Sequence, residues 1–297
     1  MNHSYKKIIV PALLGTLFLG ACSDDASFEG EGKQQTYSLV VKGITTSGSD
    51  SSEELRDVSV FQFSDGNLYK TQQLTPESNG QSSISALSGS RLYFLTGVTL
   101  PVQEEGITEE EFRNMTIGEE LHNNSAPDFM AAIVELESTP QTRSNQEINV
   151  GMKRGVARID LNTTADSKTL IKEIIVKDAP AETYPFIENA SASDKTVSYL
   201  KKFDPAFGGE QQGIFRIFES KRPVNIILRG TYNEIPISLK MQLPSIERNK
   251  VYELSVLNVG ATVEGIFEIK PWEEGETIIG KPDTEHNRHP DQMSRLL

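Results

Sequence analysis

INVGMKRGVARIDL, residues 148–161, decides how this chain folds. In its first part apolar side chains fall on every second residue, Ile148, Val150 and Met152, the period of a strand with one buried face. Lys153-Arg154-Gly155 breaks the run. Ala157, Ile159 and Leu161 then restart the same period, so the stretch reads as two consecutive strands, Ile148 to Met152 and Val156 to Leu161. The apolar spacing of a helix, three and four residues apart, is missing from both.

Outward toward the C-terminus the pattern repeats. Leu170 to Val176, Ile214 to Phe218, Val224 to Arg229, Ile235 to Leu243, Val251 to Val259 and Val263 to Ile269 are further strands, and their spacing with intervening turns predicts an antiparallel sandwich. Ala179 to Gly213 reads as a long irregular excursion, with Pro180, Pro185, Pro205 and Gly208-Gly209 and no recognisable chemistry. Beyond Trp272 the polar sequence, with Ile278-Ile279 its main apolar pair, reads as an extended tail.

Outward toward the N-terminus, the polar stretch 137–147 (ESTPQTRSNQE) reads as an interdomain connection. Before it, Tyr37, Leu39 and Val41 share one face of a strand. Val58 and Val60, then Phe61 and Phe63, form a second whose change of phase predicts a bulge. Ser64-Asp65-Gly66-Asn67 is a turn, from which Leu68 to Leu74 returns as a hairpin partner. Arg91 to Val98 and Phe129 to Leu136 are also strands. One segment departs from this pattern: Thr108 followed by Glu111 is a capping box, predicting a short helix to about Leu121 with Phe112 and Met115 on its buried face. Its acidic run reads as a solvated helix face. The fold class is therefore mainly all-β: two antiparallel β-sandwich domains, 35–145 and 146–275, with one short helix in the first and a tail at 276–297.

The length of 297 residues accommodates two such domains. Twenty-nine Lys and Arg against 42 Asp and Glu give a net charge of −13, which argues against nucleic acid as a partner. A single Cys rules out an intramolecular disulfide framework and any multi-Cys metal site.

That Cys lies at the end of an N-terminal segment with Lys6 and Lys7 at its start and an apolar run from Ile8 to Ala21. The run is too short to span a bilayer of about 30 Å and fits a secretion signal, residues 1–21. Leu19-Gly20-Ala21-Cys22 resembles a bacterial lipobox, which implies cleavage between Ala21 and Cys22 and acylation of Cys22. A tether, 22–34, then begins with Ser23, Asp24 and Asp25, similar to the export signal of surface lipoproteins in Bacteroidales-type bacteria. Two or three acyl chains hold a protein at a membrane durably without spanning it. Loss of residues 1–21 removes Lys6 and Lys7 and takes the mature balance to 27 − 42 = −15.

No catalytic motif emerges. There is no phosphate loop, nucleophile elbow or zincin helix, and Gly30-Glu31-Gly32 precedes a strand instead of following one. His286 and His289 have no third ligand nearby, His122 is isolated, and neither a metal site nor a cofactor is expected. A carboxylate pair for glycoside hydrolysis has no support in the sequence. Trp272, the only Trp, reads as an edge-of-core residue, the alternative being an exposed sugar platform in a glycan-binding lipoprotein.

Several stretches taken together resemble the FimB-type fimbrillin-like family, the lipoprotein subunits of type V pili in Bacteroidales. They are the lipobox, YSLVVKG at Tyr37 to Gly43, DVSVFQF at Asp57 to Phe63 with its Asp-Gly turn, LYFLTGV at Leu92 to Val98, MKRGVARIDL at Met152 to Leu161 and IERNKVYELSV at Ile246 to Val256. The last two carry most of the specificity. The resemblance implies two transthyretin-like domains, no enzymatic activity, partnership with other fimbrial subunits by β-strand addition, and an outer-membrane location through the lipid on Cys22, with a host or bacterial surface ligand for the assembled pilus. Pilus-building relatives lose the first strand to a trypsin-like protease, and anchor relatives keep it. Here Ile44 to Glu54 contains neither Arg nor Lys; Arg56 abuts the second strand, and Lys33 and Lys42 lie before or at the end of the first. The expectation is thus a lipid-anchored base or assembly subunit, the alternatives being a processed stalk or tip fimbrillin or a glycan-binding lipoprotein. The tail, 276–297, is the candidate donor strand for the groove of an adjacent subunit.

Overall fold

Val58–Ser64 is buried on both faces, and this sets the layering around it. Val58 and Val60 enter one apolar cluster; Phe61 and Phe63 enter another. The shift in apolar phase therefore records two-sided burial of an unbroken strand. The register irregularity against the next strand falls later, between Gln62 and Phe63.

The computed structural model describes residues 34–43, 58–75, 81–102, 106–118, 125–137, 146–164, 168–259, 262–272 and 278–280. In chain order the first half contains β1 (Gln34–Gly43), β2 (Val58–Ser64), β3 (Asn67–Leu74), β4 (Gln81–Leu87), β5 (Arg91–Thr96), α1 (Glu109–Arg113), β6 (Ile117–Gly118), β7 (Met130–Glu135) and β8 (Gln146–Arg154). The second half contains β9 (Val156–Asn162), β10 (Thr169–Pro180), β11 (Glu182–Thr183), β12 (Thr196–Phe207), β13 (Glu210–Phe218), β14 (Val224–Tyr232), β15 (Ile235–Leu243), β16 (Lys250–Val259), β17 (Thr262–Pro271) and β18 (Ile278–Gly280).

One sheet runs β3-β2-β5-β7-β8-β1-β4. Its β7–β8 junction is a corner, paired only at Met130 with Arg154 and Ala131 with Lys153. The two flanks close over a shared core: Val58, Val60, Leu92 and Phe94 from one, Ile84, Ala86, Val150 and Met152 from the other. In the second half a four-stranded sheet, β12-β10-β14-β15, packs on a five-stranded one, β13-β9-β16-β17-β18. Between them lie Ile174, Val176, Ile226 and Leu228 from the former and Ile159, Leu161, Tyr252, Leu254 and Phe267 from the latter. Each fully buried side chain of this size contributes about 1.5–3 kcal/mol of transfer free energy. The chain is nearly all β, as its apolar periodicity predicts, with one short helix; its sheets are mainly antiparallel, the parallel pairs being β1–β8 and β9–β16.

The structure corrects three expectations. The capping box forms as predicted, with the Thr108 hydroxyl accepting from Glu111 N and the Glu111 carboxylate accepting from Thr108 N at 2.9 Å, but the helix ends at Asn114 and Ile117–Gly118 is a strand. The excursion from Ala179 to Gly213 contains β11 and the 12-residue β12, which Lys201-Lys202 and Pro205 hide by interrupting the apolar alternation. The tail includes β18, paired with β17 at Ile278–Ile269 and Gly280–Phe267.

Candidate assembly site

β1 is an interior strand. It runs antiparallel to β4 from Gln34–Leu87 to Val40–Gln81, and parallel to β8 from Tyr37–Gln146 to Gly43–Met152. Among the described residues β4 has no other strand partner. Loss of β1 would therefore expose two ladder edges at once, that of β8 and that of β4. Unpaired backbone groups beside an apolar core are costly and recruit another extended chain. β1 enters at the Leu87 end of the sheet and exits beside Met152, two residues before Arg154 at the corner.

The corner leads into a third apolar cluster joining the two halves. Phe61, Phe63, Tyr93, Phe112 and Phe129 meet Val156, Phe186, Phe218, Val251 and Trp272 there. Gly155 permits the approach: its N–H donates to Phe129 O at 2.8 Å, and a Cβ built on it would lie 1.9 Å from the Phe129 ring. Phe186 crosses from the second half and packs at 4.9 Å from the Tyr93 ring and 5.2 Å from that of Phe112. Its segment is held from both sides. β11 pairs with β6, and the buried Arg248 guanidinium donates to the carbonyls of Tyr184, Pro185 and Ile187, to Thr183 Oγ1 and to Glu219 at 2.6 Å. The excursion is thus a clasp.

Electrostatics tighten the same junction. Asp128 receives Arg154 at 2.7 Å and Arg216 at 3.0 Å, while the guanidiniums of Arg154 and Arg158 lie over the Trp272 ring at 4.7 and 5.0 Å. Trp272 is buried, packing as its position at the end of β17 predicts, and forms no open sugar platform. The Glu109 carboxylate accepts from both Tyr93 and Arg91, which ties α1 to β5. Burial would raise the pKa of Glu109, but these two hydrogen bonds and the Arg91 charge outweigh it and hold the pKa low. Burial pushes Tyr93 and Tyr252 up to about 12.

Ala21, Cys22, Lys33, Arg56, His122, His286, His289 and the span 44–54 lie outside the described residues. Lys42 lies within β1. Among the described residues no three His, Cys, Asp or Glu side chains gather as a metal site, and no helix is long and apolar enough to cross a membrane. Sequence reasoning missed Phe186 and Arg248 as functional packing residues. The only signal for the first was an aromatic within a Pro-containing loop; the second lay unremarked inside IERNKVYELSV.

No family model and no curated protein matches the chain. Solved structures share its fold. The tip fimbrial protein Mfa3 of Porphyromonas gingivalis, with a C-terminal truncation, aligns at a TM-score of 0.60 and 10% identity over 81% of this chain and 100% of that one. A fimbrilin (FimA) of P. gingivalis W83 aligns at 0.57 and 11% identity, over 83% and 98%. A fimbrial assembly protein of Parabacteroides distasonis aligns at 0.55 and 12% identity, over 84% and 100%. These superpositions establish a common fold.

Proposed function

We propose that this chain is a non-catalytic subunit of a cell-surface fimbrium, of FimB type. In this reading it is the base or assembly subunit, held in the outer membrane by acyl chains on Cys22 and joined to other subunits by β-strand addition. The observation that carries the reading is the seating of β1 between β8 and β4, where it is integral to the sheet. Three facts support it: the only Cys stands at position 22 in a lipobox-like sequence, Ile44 to Glu54 offers no Arg or Lys to a trypsin-like protease, and the fold is shared with three fimbrial proteins. Residues 1–21 are the removed signal and 22–34 the tether. The first domain, its sheet completed by β8 (Gln146–Arg154), and the second, from β9 onward, are joined by the clasp, and 276–297 is a tail from which a donor strand can extend.

The test is metabolic labelling with palmitate followed by outer-membrane fractionation. Label should enter the wild-type chain and be lost on Cys22→Ser, with the variant leaving the outer-membrane fraction. A wild-type chain that takes up no label refutes the anchor.

A further inference from the structure

One face of the second half opposes the sign of the chain that carries it. On β10, Glu173, Ile175 and Lys177 alternate with the core residues Ile174 and Val176, and so point outward from the four-stranded sheet. Register carries this face across the other strands. Glu173 lies beside Lys202 on β12 and Arg229 on β14; Ile175 lies beside Leu200 and Ile227; Ile227 lies beside Lys240 on β15; and Lys177 lies beside Asn225, itself beside Gln242.

Four exposed cations, Lys177, Lys202, Arg229 and Lys240, thus share the face with one carboxylate, Glu173, which accepts from Arg229 at 2.6 Å. Asp178, accepting from Asn225 at 2.7 Å, and Asp204 lie at its two ends. The apolar row Leu200–Ile175–Ile227 runs between the cations, and Leu200 is 41% exposed. The whole chain is at −13, opposite in sign to this face.

We propose that this basic face docks the acidic surface around α1 of a second copy of the chain, in a head-to-tail contact. The first turn of α1 is Glu109-Glu110-Glu111, with Glu110 and Glu111 exposed. Asp65 is exposed in the adjoining turn, which accepts from Glu109 N through Gly66 O at 2.9 Å. The two surfaces are different patches of one copy: among the described residues the apolar cluster that holds α1 draws on the five-stranded sheet and on no residue of the four-stranded one. The contact is therefore heterologous, and repetition builds rows instead of closed dimers.

Its apolar row needs a partly apolar partner, which a protein surface supplies and an anionic polysaccharide does not. Strands of 9 to 12 residues make a face of about 30 Å by about 15 Å, roughly half the area of a standard interface per partner. The contact is thus weak, and its strength comes largely from charge.

The experiment is sedimentation of the full chain carrying Cys22→Ser, so that no acyl group interferes, at high concentration in about 20 mM and about 500 mM salt. Concentration-dependent association should appear at low salt and vanish at high salt. The basic-face variant Lys177→Glu/Lys202→Glu/Lys240→Glu should stay monomeric, as should Glu110→Lys/Glu111→Gln, in which Gln preserves the capping box. Mixed together, the two variants should form a one-to-one complex and grow no further, because one intact pair of surfaces remains. A wild-type chain that stays monomeric at low salt overturns the proposal, as do variants that associate like wild type or a mixture that forms no complex. If heparin or anionic phosphatidylglycerol vesicles bind the wild type while self-association is absent, the face belongs to an anionic ligand and the proposal falls.

Discussion

Phe186→Ala tests whether the clasp sets the stability of the junction between the halves. The ring is 7% exposed and touches Tyr93 and Phe112 at centroid distances of 4.9 and 5.2 Å. Truncating a buried Phe to Ala costs about 3–5 kcal/mol through lost transfer energy and the residual cavity. Two aromatic contacts of about 0.5–1.5 kcal/mol each disappear within that total. Phe186 also lines an open groove of about 310 Å³ with Ala131, Ile133 and Lys153. Water can enter from that side, so the loss should fall near the lower end, about 3 kcal/mol. The assay is urea unfolding followed by the fluorescence of Trp272, which reports on the junction because it is the only Trp and packs in the same cluster. The variant should unfold at lower urea by that margin. A midpoint shift worth less than about 0.5 kcal/mol would show that the Phe186 ring is dispensable and that the β6–β11 pairing carries the clasp.

Other perturbations probe the rest of the junction and its surroundings. Gly155→Ala forces a Cβ against the buried Phe129 ring and should cost about 1–3 kcal/mol or more, read as a lowered thermal midpoint; unchanged stability would mean that the β8–β9 link is looser than its contacts imply. Glu219→Gln leaves the buried Arg248 without its charge partner and should destabilise by about 3–5 kcal/mol in urea, whereas an effect below 1 kcal/mol would assign the clasp to the backbone carbonyls. Alkali should unfold the protein in a defined window. Tyr93 and Tyr252 are raised to about 12, so the stability they confer is whole below pH 10 and is lost as pH rises from about 10 through about 12, by up to about 1.4 kcal/mol per unit per tyrosine. Urea midpoints that stay flat from pH 9 to pH 12 would contradict the burial of both phenols.

What the sequence made legible depended on how local the physics is. β15 spans Ile235–Leu243, the range its alternation predicts, and α1 begins at its capping box, because both signals are complete within a few residues. β4, rich in Ser, carries little apolar period of its own and exists through its pairing with β1. β12 was hidden by its paired lysines and proline; what fixes it is Tyr199 buried against β10 and the core, a contact between residues far apart in sequence. Two-sided burial of β2 accounts for its change of apolar phase, because sequence reports that both faces are apolar and not what covers each; the register irregularity against β3 falls two residues later, between Gln62 and Phe63. The clasp was the least legible part. Phe186 acquires meaning only when α1 and β5 arrive from another half, and Arg248 only when five acceptors converge on it.

The central claim is that the folded chain reaches the cell surface with its first strand and its lipid in place. The most direct measurement is the mass and N-terminal residue of the mature protein recovered from outer membranes. The mature chain should begin at Cys22, carry acyl chains and retain Gln34–Gly43. A chain beginning near residue 43 or 57, without lipid, would contradict it and make this protein a stalk or tip subunit whose groove another strand must fill.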